Sequence, residues 1–217
     1  MKRKTGIFCM IFGAVLVSLA LSLFFYNQWD AARAERDSAE VLEQLEDQLI
    51  GRSEDPSDSR LEGPLDSDKT AGDVFSGTDK EMREVTIDGY DYIGCISIPS
   101  VGLSLPVMSE WSYDGLRIAP GRFSGSVFTD DLVIAGHNYR RHFGPIRWLE
   151  AGMEVDFTDM DNRIWRYEVM EMETLSPIQV EDMISEKENE EWDLTLFTCT
   201  TGGQTRCAVR CRRMGVD

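Results

Sequence analysis

The sequence has no Cys-x-x-Cys pair, only two histidines, and far fewer basic than acidic residues. Each shortage removes a class of function. Five cysteines (Cys9, Cys95, Cys199, Cys207 and Cys211) without zinc-type spacing leave no pattern for a structural metal. Their odd number, with Cys9 inside an apolar run, does not make a disulfide framework. A free reactive thiol fits better, with one pair among Cys95, Cys207 and Cys211 left open. Cys207 and Cys211 lie four apart on one predicted strand, too far along it to bridge to each other. The 22 Lys and Arg against 39 Asp and Glu give a formal net charge of −17. That charge would repel nucleic acid or an anionic membrane surface, so neither is expected as a partner. At 217 residues, 42% of them hydrophobic, the chain has material for one full domain and some extra.

What is present begins with a basic cluster, Lys2-Arg3-Lys4, followed by Ile7 to Tyr26 without a charged side chain. A helix of that length spans ~30 Å, about the hydrocarbon thickness of a bilayer. The flanking charges place the N-terminus in the cytoplasm and the rest outside, a single-pass anchor in the cell membrane through residues 7–26. A cleaved secretory signal is the rival, but the run is long for one, and Phe24-Phe25-Tyr26 with Trp29 resembles an interfacial aromatic belt. Residues 1–27 are therefore read as tail and anchor. Residues 28–84 are read as a stalk and tether: Ala31 to Ile50 has Leu42, Leu45 and Leu49 at helical spacing with acidic residues around them, a solvated helix or a dimerising pair. From Gly51 to Glu84, Ser, Asp, Glu, Gly and Pro dominate, and such a segment buries too little apolar surface to offset its ordering entropy.

Residues 85–217 are expected to fold. Tyr92–Ile98, Leu103–Met108, Asp131–His137, Glu154–Phe157, Arg163–Thr174 and Leu194–Cys199 read as strands, with the return strand after Gly202-Gly203 carrying Arg206 to Arg210. Pro99 to Gly102 is a turn, Ala119-Pro120-Gly121 and Ser124-Gly125-Ser126 are loops, and Phe143 to Leu149 is a short helix. This is an all-β barrel or sandwich with one or two helices. A second acidic run (Glu181, Asp182, Glu186, Glu188, Glu190, Glu191 and Asp193) has the oxygen ligands calcium needs but matches no loop motif, and a solvated helix is its ordinary meaning. No other cofactor is implied.

Chemistry concentrates at three strand ends. Cys199 is the last residue before the glycine loop, so its sulfur stands at a rim. Arg206 opens the return strand and brings a permanent cation towards that sulfur, which favours the nucleophilic thiolate. His137 also ends a strand, and if the two strands lie close, an imidazole joins them; His142, after Arg140-Arg141, reads as exposed loop. Cysteine, histidine and arginine together cover nucleophile, proton donor and electrostatic stabiliser. Taken singly, each has a plain structural reading; taken together, catalysis is the better one.

Leu132-Val133-Ile134-Ala135-Gly136-His137-Asn138 and Thr195-Leu196-Phe197-Thr198-Cys199, with Arg206 on the following strand, resemble the signatures of the sortases. The resemblance covers about Tyr92 to Arg213. It implies a bacterial membrane-anchored cysteine transpeptidase on an eight-stranded β-barrel, acting on surface proteins with a C-terminal Leu-Pro-x-Thr-Gly-type sorting signal. Cys199 would attack the Thr–Gly carbonyl to form a thioacyl enzyme, and His137 would protonate the leaving amine. Arg206 would hold the oxyanion or orient the substrate; Arg210 shares its strand parity but lies farther from the sulfur. The acceptor would be an amine of a peptidoglycan precursor or another amine. Neither a C-terminal apolar segment nor a lid in the tether is evident, which tilts the reading to the class B or D sort. The rivals are an exported cysteine peptidase or amidase, and a tethered β-barrel binding module whose cysteine is incidental.

Overall fold

The computed structural model describes residues 2–53, 81–178 and 192–215. Among these residues one helix, α1 (Lys2–Ser53), precedes nine strands: β1 (Val85–Ile87), β2 (Tyr90–Ile98), β3 (Leu103–Met108), β4 (Gly121–Ser124), β5 (Leu132–Gly136), β6 (Glu154–Asp159), β7 (Ile164–Leu175), β8 (Leu194–Cys199) and β9 (Arg206–Arg213). The sheet order is β1-β2-β3-β4-β5-β8-β9-β7-β6, and β2 also pairs with β6. That last pairing closes β2 to β9 into an eight-stranded barrel. β1 is a three-residue hairpin arm on β2, turned at Asp88 and Gly89, both at positive φ, as a two-residue hairpin loop requires. Closure leaves no free edge in the ring, and the inward side chains form one continuous core that includes Ile96, Leu105, Ile134, Phe157, Leu196 and Val209.

Most strands fall within a residue or two of their expected positions, because alternating apolar residues bounded by Gly, Pro and Asp mark a half-buried strand. Among the described residues, three short 3-10 helices occupy Pro99–Val101, Gly115–Arg117 and Gly144–Trp148. The first replaces the expected turn, and the last is the expected helix in tighter form. β4 lies where loops were expected. It is four residues long and held by antiparallel pairing to β5, so its pattern is too short to outweigh the flanking Pro and Gly. The folded region also starts before Val85, since Met82 is buried in the barrel core.

The larger correction concerns the stalk. α1 is unbroken, and its C-terminal half is not a solvated rod. Ala34, Ser38, Val41 and Leu45 are buried, and Val41 and Leu45 pack with Ile87, Tyr92 and Met108 of the barrel. The apolar spacing was legible, but it faces the protein's own sheet. The N-terminal half is different: from Met10 to Trp29 its large apolar side chains are exposed, and this helix is long and apolar enough to cross a membrane. Residues 54–80 of the expected tether and 179–191 of the second acidic run, hence nearly all the candidate calcium ligands, lie outside the described residues. Asp193 is described, and its carboxylate accepts the Arg213 backbone N–H at 2.7 Å.

Candidate active site

β5 and β8 run side by side and parallel, with Gly136 opposite Thr198. One residue further along, His137 just past the end of β5 and Cys199 at the end of β8 therefore reach the same rim. β9 returns antiparallel to β8 with Arg206 opposite Cys199. The three residues singled out from sequence thus stand at one end of three adjacent strands, and all three line a single groove of about 350 Å³.

Hydrogen bonds fix this rim. The buried Thr198 hydroxyl donates to the Gly136 carbonyl at 2.7 Å, tying the strand of the thiol to that of the imidazole. Asn138 Nδ2 donates to the Thr200 carbonyl at 3.3 Å, a second tie one step outward. The loop between β8 and β9 closes by Thr200 N–H to the Thr205 carbonyl at 3.0 Å, and turns at Gly202 and Gly203, whose φ of 90° and 72° suit glycine. Arg206 Nη1 donates to the Gly203 and Thr205 carbonyls at 3.1 and 3.2 Å, which folds the guanidinium over the loop beside Cys199.

Arg210, the competing arginine, has other work. It is 2% exposed, its Nη2 lies 2.9 Å from Glu173 Oε2, its Nη1 donates to Thr195 Oγ1 at 3.0 Å, and its guanidinium lies over the Trp192 ring. Thr195 and Thr198, the two threonines of the cysteine strand, thus have distinct structural partners.

His137 is half-buried, and burial, with Arg117 adding to it, pushes its pKa below the usual imidazole value; Asp30 of α1 partly opposes this. His142 corrects the expectation of an exposed loop. It is buried, its Nδ1 is 3.2 Å from the His137 carbonyl oxygen, and burial drives its pKa down to about 3, so it stays neutral and Nδ1–H donates to that carbonyl. The Phe143 N–H donates to the same oxygen at 3.0 Å. Together they hold the backbone that aims His137.

Cys95, Cys199, Cys207 and Cys211 are free thiols. Burial pushes Cys95 and Cys211 up to about 12 and raises Cys207 as well, so all three are protonated at neutral pH. Cys199 is the described cysteine that opens on the groove. No group of His, Cys, Asp and Glu among the described residues is arranged to hold a metal ion.

The far wall of the groove escaped the sequence reading. Trp111, Tyr113, Phe123 and Phe197 form an aromatic chain with ring centroids 5.3 to 5.6 Å apart, joined by Leu116 and Pro177. Trp111 and Tyr113 lie between two strands and Phe197 on another, so only the barrel unites them. Trp111-Ser112-Tyr113, two aromatics in a polar loop, was the one local hint. The result is a polar, nucleophilic end beside an apolar trough, suited to an extended peptide with apolar side chains.

Comparison with known proteins agrees with this geometry. The Sortase domain model matches residues 96–214. No curated protein matches by sequence. Among solved structures, a Clostridium perfringens sortase D5 transpeptidase is 26% identical with a TM-score of 0.51, covering 58% of this chain and 80% of its own. Sortase C1 of Streptococcus agalactiae is 27% identical with a TM-score of 0.52, covering 61% of this chain and 72% of its own. Sortase C1 of Streptococcus suis, at 23% identity and a TM-score of 0.51 over 58% of this chain and 74% of its own, shares the fold. With a domain match that runs over more than half of the sequence, and from β2 through the cysteine and arginine strands, the chain belongs to the sortase family of cysteine transpeptidases.

Proposed function

We propose that this sortase cleaves a Leu-Pro-x-Thr-Gly-like sorting signal between Thr and Gly and transfers the surface protein to an amine of the cell wall. The observation that carries the reading is the shared groove: a thiol, an imidazole and a guanidinium at three neighbouring strand ends, facing an aromatic trough. The Cys199 thiol passes its proton to His137, the resulting thiolate attacks the threonine carbonyl carbon, and Arg206 stabilises the oxyanion. The C–N bond then breaks, His137 gives its proton to the departing glycine amine, and a thioester remains. The incoming amine attacks the thioester carbon and gives a proton to His137, and the C–S bond breaks to restore the thiolate. Side chains alone carry this chemistry. α1 anchors the enzyme, with Lys2-Arg3-Lys4 in the cytoplasm and the barrel outside.

The test is incubation of the full-length chain with sorting-signal peptides and several amines. Amide product whose yield rises with amine at the expense of free acid supports transfer. Hydrolysis indifferent to every amine would make it a peptidase, and no thioacyl species on Cys199 would make it neither.

A further inference from the structure

His137 is also approached from outside the barrel. The rings of His137 and Tyr139 have centroids 5.0 Å apart and are tilted by 34°. The Tyr139 hydroxyl donates to Asp30 Oδ2 at 2.8 Å. Asp30 belongs to α1 and stands one turn, about 6 Å, beyond Tyr26, where the apolar run ends. The contact does not stand alone. Further along the helix Glu35 pairs with Arg141, the Ser38 hydroxyl donates to the Ile118 carbonyl, and Val41 and Leu45 are buried against the barrel. Steps of three to five residues keep these positions on one helix face, so the Asp30–Tyr139 bond is the end of a docked seam.

We propose that Asp30, through Tyr139, is a positioning residue for His137, which makes the first turn of α1 past its apolar run a working part of the active site. The inference rests on the acid–base role given to His137 above. The Tyr139 ring covers one side of the imidazole, and the bond to Asp30 stops that ring from swinging away. The hydroxyl keeps its proton up to about 12, so the bond persists at every working pH. The charged and titratable groups that face His137 are Arg117 from the short helix before β4, Asp30 from α1, Tyr139 and neutral His142 from its own loop, Cys199 from β8 and Arg206 from β9. Asp30 is the carboxylate among them and offsets Arg117.

The test uses the full-length chain in lipid nanodiscs. Asp30→Asn keeps an acceptor for the hydroxyl but removes the charge; Tyr139→Phe keeps the ring but removes the bond. The readouts are kcat and KM with a sorting peptide, melting temperature, and the NMR titration of the His137 ring, which has only His142 to be told from. Tyr139→Phe should lower kcat about tenfold, the worth of one positioned hydrogen bond, with KM within about twofold. Asp30→Asn should move the His137 midpoint to lower pH, and the double variant should have a kcat no lower than Tyr139→Phe alone. If kcat stays within about twofold in both single variants and the midpoint does not move, the inference is overturned. His137→Ala separates the two claims: if it stays active, the role of His137 is wrong; if it is dead while the other variants are normal, only the part given to Asp30 and Tyr139 is wrong.

Discussion

Arg206 and Arg210 lie on the same strand four residues apart, and their replacement by alanine should produce opposite phenotypes. Arg206 lines the groove, half-exposed, and its visible hydrogen bonds go to two loop carbonyls. Removing it leaves no buried group unpaired, so stability should change by less than about 1 kcal/mol. Removing a positioned donor from the transition state should cost about 2–4 kcal/mol of barrier, a hundredfold or more in thioacyl formation. Arg210 is 2% exposed and pairs with Glu173, which is 32% exposed and retains some hydration. Breaking a fully buried pair costs 3–5 kcal/mol, and the partial hydration of Glu173 argues for the low end, about 3 kcal/mol. For a chain of this size that lowers the melting temperature by about 6–12 °C. The assay pairs rapid quench with intact-mass detection of the Cys199 thioester and a thermal melt of each variant. Arg206→Ala should melt like wild type and acylate slowly. Arg210→Ala should melt early and, below its transition, acylate at a rate within a few-fold of wild type. An Arg210→Ala that is inactive but fully stable, beside an Arg206→Ala of normal rate, would refute the assignment.

Other consequences can be measured directly. Iodoacetamide at pH 7–8 should label Cys199 at least tenfold faster than Cys95, Cys207 or Cys211, whose burial holds them as thiols; equal labelling read by peptide mass spectrometry would contradict this. His142 is neutral in the fold with its pKa lowered to about 3, so the unfolded chain binds more protons. Its contribution therefore falls as pH drops below about 6.5, by up to about 1.4 kcal/mol per pH unit until about pH 3. His142→Phe should flatten that part of the melting temperature against pH, and an unchanged slope would argue against a buried neutral imidazole. A Cβ on Gly136 would sit 2.5 Å from the Phe143 ring, so Gly136→Ala should cost about 1–3 kcal/mol by overpacking and disturb the loop that aims His137. Adding Phe143→Leu should restore part of the loss in a denaturant melt.

The candidate trio was legible because each member stands at one end of a strand whose pattern is plain: Leu132–Gly136 before His137, Leu194–Phe197 before Cys199, and the glycine turn before Arg206. Their meeting was not legible as geometry, since alternation says which face a residue takes and not which strand lies next to it. Parallel pairing of β5 with β8, separated by nearly sixty residues of chain, is what turns two strand ends into one rim. His142 was misread for a related reason. Arg140 and Arg141 beside it signal solvent, and both are exposed, but the chain then dips so that the imidazole lies under the backbone it supports. The aromatic trough is assembled from β4, β8 and the loop after β3, and no local window contains it.

The docked half of α1 presses the same lesson further. Its stripe at Ala34, Ser38, Val41 and Leu45 has the spacing of any amphipathic helix, and spacing alone serves equally for a coiled coil, a solvated rod or a helix laid on a sheet. What decides among them is the partner face: Ile87 of the β1 arm, Tyr92 and Met108 offer an apolar patch outside the barrel ring, where the expected architecture had solvent. Leu45 is fully buried there, worth about 1.5–3 kcal/mol in transfer free energy, and its loss is felt only if the seam holds. Leu45→Ala should therefore lower the melting temperature by about 4–12 °C, at about 2–3 kcal/mol for a buried leucine that can partly collapse. It should leave the groove residues themselves untouched while loosening the helix that carries Asp30. A variant that melts like wild type would mean the helix spends its time off the barrel, and the Asp30–Tyr139 bond would then have no seam to sustain it.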